Sequence, residues 1–224
     1  MKTKAQVILK PILNADFYFY RNITMTTITD EKHLKKMKAI KEKQDQKIAA
    51  ADIERGVSIL LAGPGKGKSS SAFGMLARSL GHGHKVAVVQ FLKGAMSTGE
   101  ERFFATQDNV DWYAMGDGFT WETQNREQDI RSAQAAWQKA EELLADDRYN
   151  LVILDEITYM FKYQYLDIQP TLDALKNRPA NMNVVLTGRG PKQELIDAVD
   201  TYSHILEEKH AFKSGVKAQA GIEW

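Results

Sequence analysis

The stretch Val57-Ser-Ile-Leu-Leu-Ala-Gly-Pro-Gly-Lys-Gly-Lys-Ser-Ser-Ser71 restricts what this chain can fold into more than any other. Val57 to Ala62 is a short apolar run of the kind found in a strand buried on both faces. It stops at a cluster of three glycines and two lysines, so the chain must turn sharply there. Beyond Ser69, residues Ala72, Met75, Leu76, Ser79 and Leu80 recur at helical spacing. The turn therefore delivers the chain into a helix whose first N–H groups lack intrahelical acceptors. Strand, glycine turn and helix N-terminus together predict an anion site. Gly63, Gly65 and Gly67 let backbone approach phosphate oxygens, Lys68 adds a point charge, and the Ser69 hydroxyl can ligate a magnesium ion held by the same phosphates. Against the pattern G-x-x-x-x-G-K-[ST], Ala62 stands where the first glycine usually lies. The loop is thus a variant with its glycines bunched late, and the flanking strand and helix carry the reading.

At 224 residues the chain suits one α/β domain with an appendage. Its net charge of +1 argues against a general nucleic-acid binder, which carries a markedly basic face. The absence of cysteine removes disulfides, thiolate nucleophiles and cysteine metal sites, and fits a cytoplasmic location. No apolar run approaches the roughly 20 residues that cross a bilayer. Val7-Ile-Leu9 is broken by Lys10, Pro11, Asn14 and Asp16, so an export signal is not expected.

Residues 1–24 do not read as part of a domain, and Met25 is a candidate start. From Glu31 to Glu54 the composition is Lys, Gln, Glu and Ala with few large apolar residues, which suits a solvated helix or a disordered arm. Residues 1–54 are accordingly an extension and polar arm, either a tethered tail or an arm that orders when substrate or a second subunit arrives, and residues 55–224 are the phosphate-loop domain. Lys85 to Phe91 reads as a second buried strand, so strand, helix, strand implies a mostly parallel sheet. Lys93, in the loop at that strand's carboxyl end, either faces phosphate or is solvated. A short helix over Glu100 to Thr106 and a strand over Val110 to Ala114 follow. Phe119 and Trp121 then stand in a glycine-flanked loop, where they either plug the core or wall a flat apolar ligand. Asp129 to Leu144 is a helix with one apolar stripe. Tyr149 to Glu156 is a strand ending in Asp155 and Glu156, a carboxylate pair that can hold magnesium beside the phosphate loop. Helices over Ile157 to Leu166 and Gln169 to Asn177, a strand over Asn183 to Leu186, a helix over Lys192 to Val199 and a strand over Tyr202 to Leu206 complete the domain. Arg189, between Gly188 and Gly190 at a strand end, either meets an anion or turns the surface. The tail carries Lys209, His210, Lys213 and Lys217. The fold class expected is a three-layer P-loop NTPase fold of RecA-like type, with helices on both faces of the sheet.

Gly63-Pro-Gly-Lys-Gly-Lys-Ser-Ser70, Gly118-Phe-Thr-Trp-Glu-Thr-Gln-Asn-Arg-Glu127, Leu154-Asp-Glu156, Thr187-Gly-Arg-Gly190 and the tail from Lys209 to Glu223 resemble the P-loop class of ATP:corrinoid adenosyltransferases, over roughly Arg55 to Trp224. The loop alone selects many P-loop proteins, whereas the Phe-Thr-Trp-Glu-Thr-Gln-Asn block and the tail are specific. Pro64, Ser69 and Ser70 depart from the asparagine and threonines more usual there, and Pro64 removes an N–H.

The resemblance implies transfer of the 5′-deoxyadenosyl group of ATP to a corrinoid reduced to Co(I), with triphosphate leaving. The acceptor is cobalamin, cobinamide or a precursor. It also implies nucleotide contacts from Gly63, Pro64, Gly65, Lys66, Gly67, Lys68, Ser69, Ser70, Lys93 and Arg189. Magnesium would lie near Ser69, Asp155 and Glu156. Lys68 would stabilise the departing polyanion, while Phe119 and Trp121 would hold the corrin without its lower axial ligand. An external electron donor such as a reduced flavoprotein, a homodimer, and an arm folding over the corrinoid are implied as well. A RecA-like ATPase, with Glu156 orienting water against the γ-phosphate, is the rival reading. A nucleotide-dependent module that sequesters corrinoid without reaction is a third.

Overall fold

A computed structural model describes residues 30–92, 97–115 and 125–224. The chain divides into two units, Met1–Ile53 and Glu54–Trp224. In the first, α1 (Asp30–Ala49) is a helix with no buried residue. Of the two readings open for the arm, the solvated helix is the one adopted.

The second unit is built on β1 (Ser58–Ala62), α2 (Lys68–Gly81), β2 (Val86–Gln90), α3 (Gly99–Phe104), β3 (Val110–Ala114), α4 (Arg126–Leu144), β4 (Leu151–Asp155), α5 (Thr158–Lys162), α6 (Gln169–Asn177), β5 (Asn183–Gly188), α7 (Gln193–Ala198) and β6 (Thr201–His204), with a short 3-10 turn at Ala211–Ser214. The strands form one sheet in the order β3-β2-β4-β5-β1-β6, and every pairing is parallel. This is a three-layer α/β fold of the P-loop kind.

Handedness decides which face each helix covers. From β1 the chain moves across the sheet to β2 and on to β3; it then returns to β4, β5 and β6 in the opposite direction. Right-handed crossovers put α2 and α3 on one face and the later helices on the other. The core divides accordingly. Leu61, Val86, Val88, Leu151, Ile153 and Val185 pack with Ala72, Phe73 and Leu76 of α2 and Phe104 of α3. Their immediate neighbours Leu60, Ala87, Val89, Val152, Leu154, Val184 and Leu186 pack with Ala133, Ala136 and Ala140 of α4, Met160 and Phe161 of α5, Leu175 of α6 and Leu195 of α7. Alternate residues thus serve opposite layers, which is why these strands read as continuous apolar runs. Each fully buried Leu, Ile or Val contributes about 1.5–3 kcal/mol.

The amino edge of the sheet is held by ions. Asp200 pairs with Arg55 at 2.6 Å and accepts the N–H of Ser58 at 2.7 Å, tying the entry of β1 to that of β6. The Arg55 guanidinium and the Ser58 bonds hold the Asp200 carboxyl far below the usual range. Among the described residues no helix is long and apolar enough to cross a membrane.

Most boundaries differ from the sequence expectation by one or two residues, β6 for instance ending at His204 rather than Leu206, and three differences have a local cause. Helix α4 starts at Arg126 rather than Asp129, because the Asn125 side chain accepts the Gln128 N–H and caps it. Helix α5 stops at Lys162 rather than Leu166: Gln164 turns at φ 58, and the N–H groups of Tyr165 and Leu166 both return to the Met160 carbonyl. Strand β5 runs on to Gly188 because its ladder with β1 extends to the pair Ala62–Gly188.

Candidate active site

Parallel strands place all their carboxyl ends on one edge, and the chemistry-bearing residues of this chain collect there. At the end of β1 the loop runs from Gly63 to Gly67, and Gly67 is the N-cap of α2 at φ 115 without a capping side chain. The first intrahelical bond is Ser71 N–H to Gly67 O, at 2.9 Å. By helix geometry the N–H groups of Lys68, Ser69 and Ser70 therefore lack intrahelical acceptors, and they open onto the same cavity as their side chains.

The three loop glycines do different work. The Gly63 N–H donates to Gly188 O and the Gly65 N–H to Ile205 O. A Cβ on Gly63 would lie 2.4 Å from the Ile205 carbonyl oxygen, and one on Gly65 would lie 2.3 Å from that of Leu206. Both glycines are thus required by packing against the chain that leaves β6. Only Gly67 of the three has nothing within 4 Å of the Cβ position. Pro64 sits exposed between the first two, in a segment whose N–H groups already point into the protein. Its missing donor therefore costs the anion site little.

Lys68 is 6% exposed, and its ammonium donates to the Gly65 carbonyl at 2.7 Å. Burial lowers its pKa, partly opposed by the carboxylates of Glu156 and Asp155. Those carboxylates stand at the end of β4 in unlike environments. Both Asp155 oxygens are engaged: Thr187 donates its hydroxyl to one at 2.7 Å, and the Gln90 amide donates to the other at 3.2 Å. The Trp112 indole N–H in turn donates to Gln90 Oε1 at 3.1 Å, and the Glu156 N–H donates to the Thr187 hydroxyl oxygen at 2.9 Å. This chain spans the ends of four neighbouring strands and fixes Asp155.

Glu156 follows in the left-handed region, at φ 62, where a non-glycine residue is strained. Its Oε2 is buried without a hydrogen-bond partner among the described residues. Burial, and the like charge of Asp155, push its carboxyl up to about 7, against the pull of Lys68 and Arg189. An orphaned buried carboxylate oxygen facing a hydroxyl-bearing phosphate loop is what a magnesium-phosphate unit fits.

A cavity of about 300 Å³ joins these groups. Lys66, Gly67, Lys68, Ser69, Ser70, Asp155, Glu156 and Arg189 all line it, so most of the residues expected at the nucleotide are brought together. Gly63, Pro64 and Gly65 form the loop's first half behind it. Lys93, Phe119 and Trp121 lie outside the described residues. Several cavity residues were not singled out from sequence: Gln90, and Ile222 and Glu223 of the tail, while His210 was read only as one of the tail's basic positions. A lone polar residue closing the run Val86-Ala-Val-Val-Gln90 was a usable signal for the first. For Glu223 there was none, because its partner Lys66 is 157 residues away.

A family model described as ATP:corrinoid adenosyltransferase BtuR/CobO/CobP matches residues 54–224. A corrinoid adenosyltransferase of Pseudomonas aeruginosa is 52% identical over 196 residues, covering 87% of this chain and 97% of its own. One from Escherichia coli K12 is 43% identical over 197 residues, or 88% of this chain and all of its own. Corrinoid adenosyltransferase CobA of Salmonella typhimurium matches to the same extent.

Proposed function

The chain belongs to the ATP:corrinoid adenosyltransferase family, and on that premise we propose how its residues share the work of adenosylating a corrinoid with ATP. The RecA-like ATPase that the loop alone allowed is not favoured, since relatives matched over nearly their whole length are named corrinoid adenosyltransferases. The acceptor is cob(I)alamin or a related corrinoid in the Co(I) state. Cobalt attacks the ribose C5′, the C5′–O bond breaks, and the triphosphate departs with the bonding electron pair.

Negative charge develops on the α-phosphate oxygen as that bond breaks. The N–H groups of Lys68, Ser69 and Ser70, with the Lys68 ammonium, are fixed before reaction and need no rearrangement to meet it. Lys66 and Arg189 hold the outer charge of the polyanion, and Lys93 extends that contact. Ser69 and Glu156 would hold Mg²⁺ with the phosphates, and Asp155, tied by Thr187 and Gln90, orients the strand end behind them. When bound, the ion supplies charge neutralisation to the leaving group. No protein nucleophile is needed, which agrees with a chain that has no cysteine.

Phe119 and Trp121 wall the lower face of the corrin, where the lack of a donor atom leaves cobalt easier to reduce. Electrons come from an external donor such as a reduced flavoprotein. Helix α1 exposes Leu34, Met37, Ile40 and Ile48 within one broad face, an apolar stripe exposed among the described residues that suits a lid over a flat ligand in a homodimer. We place the protein in the cytoplasm, where ATP and such a donor coexist.

The observation that carries this reading is the convergence of the helix N-terminus, Lys68 and the orphaned Glu156 oxygen on one cavity. Incubating the protein with ATP, magnesium and chemically reduced corrinoid tests it. The absorbance of the adenosylated corrinoid should appear, with one triphosphate per cobalt–carbon bond. ADP and phosphate as products would overturn it.

A further inference from the structure

Glu223, on the C-terminal tail, reaches the phosphate loop. Its Oε2 lies 2.5 Å from Lys66 Nζ, and it lines the phosphate cavity with His210 and Ile222 of the same tail. Both loop lysines are therefore satisfied inside the protein, Lys68 by the Gly65 carbonyl and Lys66 by a carboxylate. A carboxylate on Lys66 is an anionic partner of the kind that a phosphate oxygen would be.

The tail is weakly seated. Nearly every residue from 211 to 223 is exposed, including Phe212 at 73% and Ile222 at 64%. Its last turn closes on itself through Gly221 N–H to Trp224 O and through the N–H groups of Ile222 and Glu223 to Gln219 O. The Lys66–Glu223 pair is itself partly exposed, with side chains 44% and 29% accessible. Segments with few buried contacts open at low free energy, and partly exposed ion pairs are weak. A polyphosphate arriving at Lys66 would meet Glu223 as a like charge at short range, in a cavity that already holds Glu100, Asp155 and Glu156. Polyphosphate and Glu223 thus compete for one cation.

We propose that Glu223 is a displaceable anionic latch on the phosphate loop: nucleotide entry breaks its pair with Lys66 and lifts residues 219–224, and its return helps expel the triphosphate. This rests on the phosphate-site reading above but not on the corrinoid chemistry. A product with several negative charges leaves a cationic loop slowly unless an internal anion replaces it. Linkage makes the effect reciprocal, so the phosphates that unseat the tail are bound less tightly because of it.

Tripolyphosphate with magnesium is the probe, titrated calorimetrically into the full chain and into Glu223→Gln, which keeps the side chain's size and removes its charge. Binding should tighten about 2- to 5-fold in the variant, the reach of a partly exposed ion pair. Tripolyphosphate should inhibit turnover at correspondingly lower concentration. With Lys66→Gln already present, Glu223→Gln should change affinity much less. Hydrogen exchange of residues 219–224 should rise when tripolyphosphate is added to the wild-type chain. Unchanged or weaker binding by Glu223→Gln, or a tail more protected with ligand, would overturn the latch while leaving the phosphate site intact. No tripolyphosphate binding by the wild type would overturn both.

Discussion

On the proposed mechanism, Lys68 and Glu156 are the two side chains on which the chemistry bears most directly. Truncating Lys68 removes a buried cation that lines the phosphate-loop cavity, so on the proposed mechanism Lys68→Ala should lower kcat/KM about 10²- to 10³-fold at saturating corrinoid, with the circular dichroism spectrum unchanged. Glu156 gives a pH signature in the metal-free protein. Its folded pKa is raised to about 7 by burial and by Asp155. The protonated carboxyl is thus favoured by the fold, and its contribution is fully present below the ordinary glutamate range and lost as pH rises through about 7. Metal-free protein should lose up to about 3 kcal/mol of stability between pH 5 and 8, and Glu156→Gln should flatten that loss in chemical denaturation. Both residues were legible from sequence as a loop lysine and a strand-end carboxylate. The φ of Glu156, its bond to Thr187 and the tying of Asp155 by Gln90 were not, since they depend on strands that become neighbours only in the folded sheet.

At the scale of elements, the end of β5 and the start of α5 are joined by a contact with no slack. A Cβ on Gly188, at φ 143, would lie 2.0 Å from Thr158 Oγ1, and that hydroxyl also donates to the Arg189 carbonyl. Gly188→Ala should therefore cost about 2–4 kcal/mol, read as a fall in denaturation midpoint. Gly67→Ala has no such neighbour; it should cost about 1–2 kcal/mol from backbone strain alone, while impairing nucleotide binding. The opposite edge depends on Asp200, whose pKa is depressed by Arg55 and Ser58. Its stabilising effect is present above the ordinary aspartate range and lost as pH falls through the depressed value, so Asp200→Asn should weaken the protein at neutral pH and remove part of its acid sensitivity. The buried strands were readable because runs of four apolar residues, Ile59–Ala62, Val86–Val89 and Leu151–Leu154, fit a strand covered on both sides. Helix ends were less so: the Asn125 cap and the return of Tyr165 to Met160 are set by local hydrogen bonds that periodicity does not report.

For the whole molecule, a parallel sheet carries a phosphate-loop cavity on one edge, and the C-terminal tail reaches that cavity through Glu223. Removing residues 1–54 should weaken corrinoid binding far more than ATP binding; equal loss of both, or of neither, would count against a lid. The polar composition of that arm predicted a solvated helix or a free chain, and α1 with no buried residue shows why hydrophobic patterning could not choose a partner for it. The tail was recognisable as a family feature, yet its place at the phosphate loop came only from the fold. On the proposed chemistry this loop binds a leaving group rather than a phosphate to be hydrolysed. Analysis of the phosphate products formed from ATP with reduced corrinoid tests it most directly. Triphosphate should form in step with the adenosylated corrinoid, whereas ADP with orthophosphate, or triphosphate formed without a cobalt–carbon bond, would rule out a leaving-group role for the loop.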